Sequence, residues 1–227
     1  MTEPRGQALA AVLPDGRVLV AGGNEDNTRG TAELYDPTNG TWTTTGAMTA
    51  WRAGPLSAIV LRDGRVLVAG GFTASQSSAE IYDPSNSTWT ATASMGAGRA
   101  DNQSAVLLPD GRVLIVGGSP SSADVYDPAT ATWTATSPMV ETFIDLVVLN
   151  VMPDGTVLSV AGGGSRGAAL ATAERFDPAT GTWSDLGPLA QTRYVRSTSL
   201  LPDGTVLVVS SATTAAGGKA GAELYQP

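Results

Sequence analysis

The 227-residue sequence predicts an all-β protein built from five copies of one antiparallel four-stranded unit, and three observations carry that expectation. An Asp-Gly dipeptide recurs at Asp15-Gly16, Asp63-Gly64, Asp110-Gly111, Asp154-Gly155 and Asp203-Gly204, in steps of 48, 47, 44 and 49 residues. Each is followed by a β-rich apolar run such as Val18-Leu19-Val20 or Val113-Leu114-Ile115-Val116, and four of the five runs end in Gly-Gly. An acidic-x-aromatic-x-Pro stretch then follows in every copy, and in four copies a Trp (Trp42, Trp89, Trp133, Trp183) stands five residues after the Pro. A fixed period of this length marks a repeat architecture.

Each element of the unit has a local cause. The first strand enters near Ala8–Leu13. Asp-Gly then turns the chain, because Gly accepts the positive φ of a tight turn. The second strand, Arg17–Ala21, is apolar without alternation, so both its faces need cover. The third is Ala32–Tyr35, and Asp36-Pro37 ends it, since Pro fixes φ and cannot donate to a ladder. The fourth surrounds Trp42–Thr45, where threonines favour extended chain. No window carries an apolar stripe of helical period.

One such sheet cannot bury both apolar faces, whereas radial packing of sheet on sheet can, and the result is a β-propeller. The variable segments 24–31, 72–78, 119–122, 164–172 and 212–221 then become loops on one face of the disc. The chain stops just after a third strand, so 19 strands are expected in one domain spanning residues 1–227. The last blade lacks its outer strand, and Ala222–Tyr225 is an open edge suited to self-association.

The series Asp-Gly-Arg-Val-Leu-Val-Ala-Gly-Gly, then Glu-x-Tyr-Asp-Pro, then Trp, resembles the kelch repeat over nearly the whole chain. That resemblance implies a kelch-type propeller in which the Gly pair lets neighbouring backbones approach and the innermost strands line a central channel. It leaves function open, because kelch propellers include binding modules and enzymes of several kinds.

Composition narrows the choice. With 13 Lys+Arg against 21 Asp+Glu the formal charge is −8, which argues against nucleic-acid or anionic-membrane partners. There is no Cys and no His, so thiolate chemistry, Cys-ligated zinc and the ligands of a copper radical site are missing, and no cofactor or metal is expected. Specific chemistry in a repeat protein belongs where the copies diverge. At the entry to the first strand four copies place Arg5, Arg52, Arg99 and Arg193, and the fourth copy places Phe143 there. By the resemblance these arginines ring the channel mouth, which would suit a small anionic ligand or an acidic protein segment. The alternative is that each Arg anchors a turn by bonding carbonyls. Trp51, Asn102 and Arg196 join the candidate ligand-binding set. Asp101, Glu141, Asp145 and Tyr194 form a candidate proton-transfer set for a cofactor-independent isomerase, lyase or cyclase. The readings are therefore a binding module at an Arg-lined mouth, such an enzyme, or an isolated or engineered propeller fragment without its own activity.

Overall fold

A computed structural model describes residues 1–23, 30–52, 54, 57–71, 76–99, 103–118, 122–140, 147–163, 169–211 and 220–227, with 162, 163, 169–171 and 191–193 described through their backbone. The described residues form antiparallel sheets and no helix. The first sheet contains β1 (Leu9–Val12), β2 (Val18–Ala21), β3 (Ala32–Asp36) and β4 (Thr41–Thr45), paired in that order. The second repeats it with β5 (Ser57–Val60), β6 (Val66–Ala69), β7 (Ala79–Asp83) and β8 (Thr88–Thr92). The third has β9 (Ser104–Leu107), β10 (Val113–Val116), β11 (Ala123–Asp127) and β12 (Thr132–Ala135). The fourth opens with β13 (Val147–Val151), β14 (Val157–Gly163) and β15 (Ala169–Asp177).

Here the count departs from expectation. The fourth sheet's outer strand does not stop before the fifth sheet begins; β16 runs from Thr182 to Leu200, 19 residues, and serves both. Its first part pairs with β15, from Asp177↔Thr182 to Thr172↔Pro188, and its last part pairs with β17 (Val206–Ser211) through Tyr194↔Ser211 to Leu200↔Val206. The fifth sheet ends at β18 (Gly221–Tyr225), giving three strands in the last unit and 18 among the described residues rather than 19.

The Asp-Gly turns are longer than a two-residue hairpin. Leu13 N–H donates to the Arg17 carbonyl, Gly16 N–H to the Leu13 carbonyl, and Gly16 sits at φ 88°. Asp15 Oδ1 accepts from Arg17 N–H, so the carboxylate braces the turn from inside. The Asp-Pro turns work the same way, with Asp36 Oδ1 accepting from Thr38 N–H and Oγ1.

The sheets bury each other at repeated seams. At the first, Val66, Val68, Tyr82 and Trp89 of the second sheet lie on Leu9, Ala11, Leu19 and Leu34 of the first. Val113, Ile115, Tyr126 and Trp133 then lie on Leu61, Leu67 and Ile81, and Val157, Phe176 and Trp183 on Leu108, Leu114 and Val125. The aromatic pair is cross-strand, with ring centroids 4.8–5.1 Å apart in all four Tyr/Phe–Trp pairs. Indoles also reach across the seams: Trp89 Nε1 donates to the Gly46 carbonyl and Trp133 Nε1 to the Ala93 carbonyl, both at 2.8 Å. The inner strands β1, β5, β9, β13 and then β16 are neighbours in turn. The two ends differ from the seams: Tyr35 and Trp42 of the first sheet are half-buried, and Leu224 of the last is 66 % exposed, against 4 % for its counterpart Leu34.

Candidate functional site

The face bearing the variable loops is built on the end of each second strand. Gly70 stands at φ 79°, and a Cβ there would lie 2.7 Å from the Arg99 carbonyl oxygen, so a side chain is excluded twice over. Gly22 meets the Arg52 carbonyl in the same way. This close approach lets Gly23 N–H donate to the Arg52 carbonyl (3.2 Å) and Gly71 N–H to the Arg99 carbonyl (3.0 Å). The backbones of Arg52 and Arg99 are thus each tied to the preceding sheet.

The side chain of each Arg is tied to its own sheet. Arg52 Nη1 donates to the carbonyls of Gly70 (2.6 Å) and Ser78 (3.0 Å), Nη2 to Ser78 Oγ and Glu80 Oε1, and Nε to Glu80 Oε1. Glu80 also accepts from Thr49 N–H and Oγ1 and from Ala50 N–H. Arg5 repeats the set with the carbonyls of Gly22 and Thr31, Thr31 Oγ1 and Glu33. Arg99 repeats it with the carbonyls of Gly117 and Ser122 and with Asp124. The side chains of Arg5, Arg52 and Arg99 are 1 %, 0 % and 0 % exposed. The expectation that these arginines offer guanidinium to a ligand at the mouth is therefore corrected for Arg5, Arg52 and Arg99. They are anchors, because buried β2–β3 carbonyls and a buried carboxylate require donors, and a planar guanidinium supplies them as a fork.

The signal that sequence reasoning missed is the acid. Glu33, Glu80 and Asp124 fall in the acidic-x-aromatic stretch, on strands whose neighbours are apolar on both faces. A carboxylate there needs buried donors, and in the first three repeats the Arg of the same repeat supplies them as a cation. The carboxyl of Glu33 feels burial first, which favours its neutral form. The bonds from Thr2 and Arg5 outweigh it and hold its pKa below the ordinary carboxylate value. Burial pulls the Arg52 and Arg99 guanidinium groups down against the lift from Glu80 and Asp124, yet Arg remains charged at any ordinary pH.

The third anchor is imperfect. Asp124 is one methylene shorter than Glu80 and reaches only Nη2, and Arg99 Nε is buried with no partner among the described residues. Asp124→Glu should supply the missing acceptor and raise stability by about 1–2 kcal/mol, a charge-assisted bond less the strain of one extra methylene. Urea midpoints of the two proteins check this.

Glu33 also sets a pH dependence. Its folded-state pKa is depressed, so its contribution to stability is complete above its unfolded value and is lost as pH falls through the folded one. Stability of the parent should therefore decline below about pH 4. Glu33→Gln should be less stable at neutral pH and show a shallower acid decline, read from urea midpoints across pH.

Of the remaining candidates, Trp51 is half-buried and donates its indole N–H to the Gly23 carbonyl at 3.3 Å. Tyr194 is half-buried and Arg196 exposed on the last inner strand, where Arg196 Nε donates to Ser211 Oγ. Both lie near the end of β17 that leads into the last loop, the same face as Trp51. Asp101, Asn102, Glu141, Phe143 and Asp145 lie outside the described residues, and Arg193 is described through its backbone alone. On the opposite face, the seams open into grooves. One of about 380 Å³ lies between the Asp63/Arg65 and Asp110/Arg112 turns, whose ion pairs each close within their own turn.

A family model described as the kelch motif matches residues 55–96 and 155–190. No curated protein matches the chain. Among solved structures, that titled "Structure of YjhT" superposes with a TM-score of 0.69 at 17 % identity, covering 97 % of this chain and 80 % of its own. A fungal alcohol oxidase in complex with copper overlaps at a TM-score of 0.46 and 17 % identity, over 98 % of this chain and 74 % of its own, too loosely to carry anything over. The kelch motif is thus matched at two places, and the sheet-on-sheet architecture has the fold of a kelch-type β-propeller.

Proposed function

We propose that this propeller is a binding module whose loop-bearing face engages a protein segment or small ligand. The observation that supports it most is the separation of anchor from loop. The Arg–carboxylate sets hold the loop bases in one repeated arrangement, while the segments above them differ in length and sequence from copy to copy. A rigid base carrying varied loops is how recognition surfaces are commonly built. Trp51 and Tyr194 offer half-covered aromatic surface on that face, and Arg196 offers an exposed guanidinium that would favour a carboxylate or phosphate on the partner.

The enzyme reading has less support. An acid–base residue needs a pKa moved toward neutrality, which for a carboxylate means upward. Among the described residues every carboxylate with a displaced pKa, including Asp15, Asp63, Asp110 and Asp154, is displaced downward by bonds from its own turn or a neighbouring cation.

Selection from a random 12-residue peptide library on the immobilised protein tests the reading without presupposing a ligand. The selected peptides should lose affinity about tenfold or more against Trp51→Ala or Arg196→Ala, the scale of a binding hot spot. Thr43→Ala on the exposed outer strand should leave affinity unchanged. Selected peptides insensitive to both loop-face variants would refute the reading.

A further inference from the structure

The turn between the first two strands of a unit carries Pro before its Asp-Gly in four copies, as Pro14, Pro109, Pro153 and Pro202, and Arg62 in the remaining one. That position packs one sheet on the next, because its ring lies over the following turn's glycine. A Cβ on Gly64 would stand 3.2 Å from Pro14 Cγ, and one on Gly155 would stand 3.7 Å from Pro109 Cγ. Between the second and third sheets the aliphatic stem of Arg62 takes the ring's place, with its Cδ 3.2 Å from the Cβ position of Gly111. The stem does the packing, and the guanidinium is surplus to it. Arg62 is exposed and its Nη2 donates to the Pro109 carbonyl. Among the described residues no carboxylate stands within ion-pair distance of it, and most of its N–H donors have no protein acceptor.

Arg62 lines the groove of about 380 Å³ together with Arg65 and Arg112. Those two are engaged already: Arg65 Nε and Nη2 meet Asp63, and Arg112 Nε and Nη2 meet Asp110. Asp127, the third carboxylate of the lining, accepts from Ala129 N–H in its own turn. The equivalent groove between the third and fourth sheets, of about 240 Å³, has Pro109 where this one has Arg62 and Thr156 where it has Arg112. One arginine there faces Asp110, Asp154 and Asp177, whereas three arginines face three aspartates in the larger groove.

We infer that the groove between the second and third sheets binds a small carboxylic acid with an apolar body, its carboxylate paired with Arg62. Charge complementarity names the occupant. Two of the three guanidinium groups each hold a carboxylate of the protein, and the one that does not offers a planar fork that fits a carboxylate through two parallel bonds. The apolar body lies on Pro128, Ala129 and the aliphatic stems of the arginines. A volume of about 380 Å³ suits a small molecule. The groove is on the face opposite the loops, so this binding is independent of any ligand at the loop face.

The test titrates the full chain with N-acetyl-L-phenylalanine at neutral pH and follows the Gly111 amide and the Arg62 Nε–H by nitrogen-15 NMR. Both signals should shift saturably. N-acetyl-L-phenylalaninamide, which has the same body without the charge, should bind about tenfold or more weakly, the scale of a charge-assisted bond. Arg62→Pro restores the residue that the other four copies carry, so it should fold and lose affinity for the acid to the same degree. Arg62→Gln keeps a stem over Gly111 and a donor for the Pro109 carbonyl while removing the charge. It should lose affinity alike, and it keeps the test decisive if proline disturbs the turn. Trp51→Ala on the loop face should leave affinity unchanged. Absence of a saturable shift, equal binding of the amide, or full affinity in either Arg62 variant would each overturn the inference. A tripeptide ending in phenylalanine that binds about tenfold tighter than the small acid would overturn it in favour of chain ends.

Discussion

Arg52→Ala should destabilise the protein by about 3–5 kcal/mol, the usual result of removing one partner from a buried ion pair. The loss has three parts. Glu80, 1 % exposed, would lose the cation it is paired with, and the carbonyls of Gly70 and Ser78 would lose their donor. A cavity would also replace a fully buried side chain. Arg52→Lys should recover part of this, since an ammonium can meet Glu80 or a carbonyl but cannot span the set as a fork. Thermal and urea unfolding of both variants check the size. Affinity per folded molecule for any loop-face ligand should stay unchanged, so a variant that loses affinity and keeps its melting temperature would refute the anchor assignment.

Trp89→Ala should cost about 3–5 kcal/mol as well, the range for truncating a large buried aromatic. Trp89 is 8 % exposed, packs on Tyr82 with centroids 5.1 Å apart, and bonds Gly46 across the first seam. Truncation would open a void between two sheets and leave that carbonyl without its indole partner. Trp42, its half-buried counterpart on the outward face of the first sheet, supplies the internal comparison. Trp42→Ala should cost clearly less, and equal losses at the two positions would show that seam burial is not the source of the effect.

The fold is legible in the sequence because its determinants are local and repeated. Asp-Gly, Asp-Pro and the Tyr–Trp spacing each act within one unit, and five copies average out the ambiguity of any one. Two things are not legible. The break expected between the fourth and fifth sheets is absent because β16 simply continues, and residues such as Leu189 and Ala190 look in sequence like their counterparts in the other connections. For the arginines, the repeat locates the right end of the right strand but not the direction of the side chain. Position along the chain does not say whether a long side chain points out to the mouth or back into its own sheet. Only the pairing of Arg52 with Glu80, 28 residues on, decides that, and it is a tertiary fact. The binding candidates Trp51, Tyr194 and Arg196 stand out because they break the repeat, which is the feature that sequence shows best.

The continuous strand β16 has a mechanical meaning. Among the described residues, the other successive sheets meet through side chains and a few loop bonds, so each seam is a plane along which one unit can part from the next. Between the fourth and fifth units the backbone ladder itself crosses that plane, through Thr172↔Pro188 on one side and Tyr194↔Ser211 on the other. In a nearest-neighbour description of repeat unfolding, the coupling at this junction exceeds that at the others. The last two units should then open as a single cooperative block, so that amides of β14 and β17 exchange with one shared opening free energy while those of β2 and β6 report separate ones. The three-stranded last unit is held in the array by a strand it shares with its neighbour.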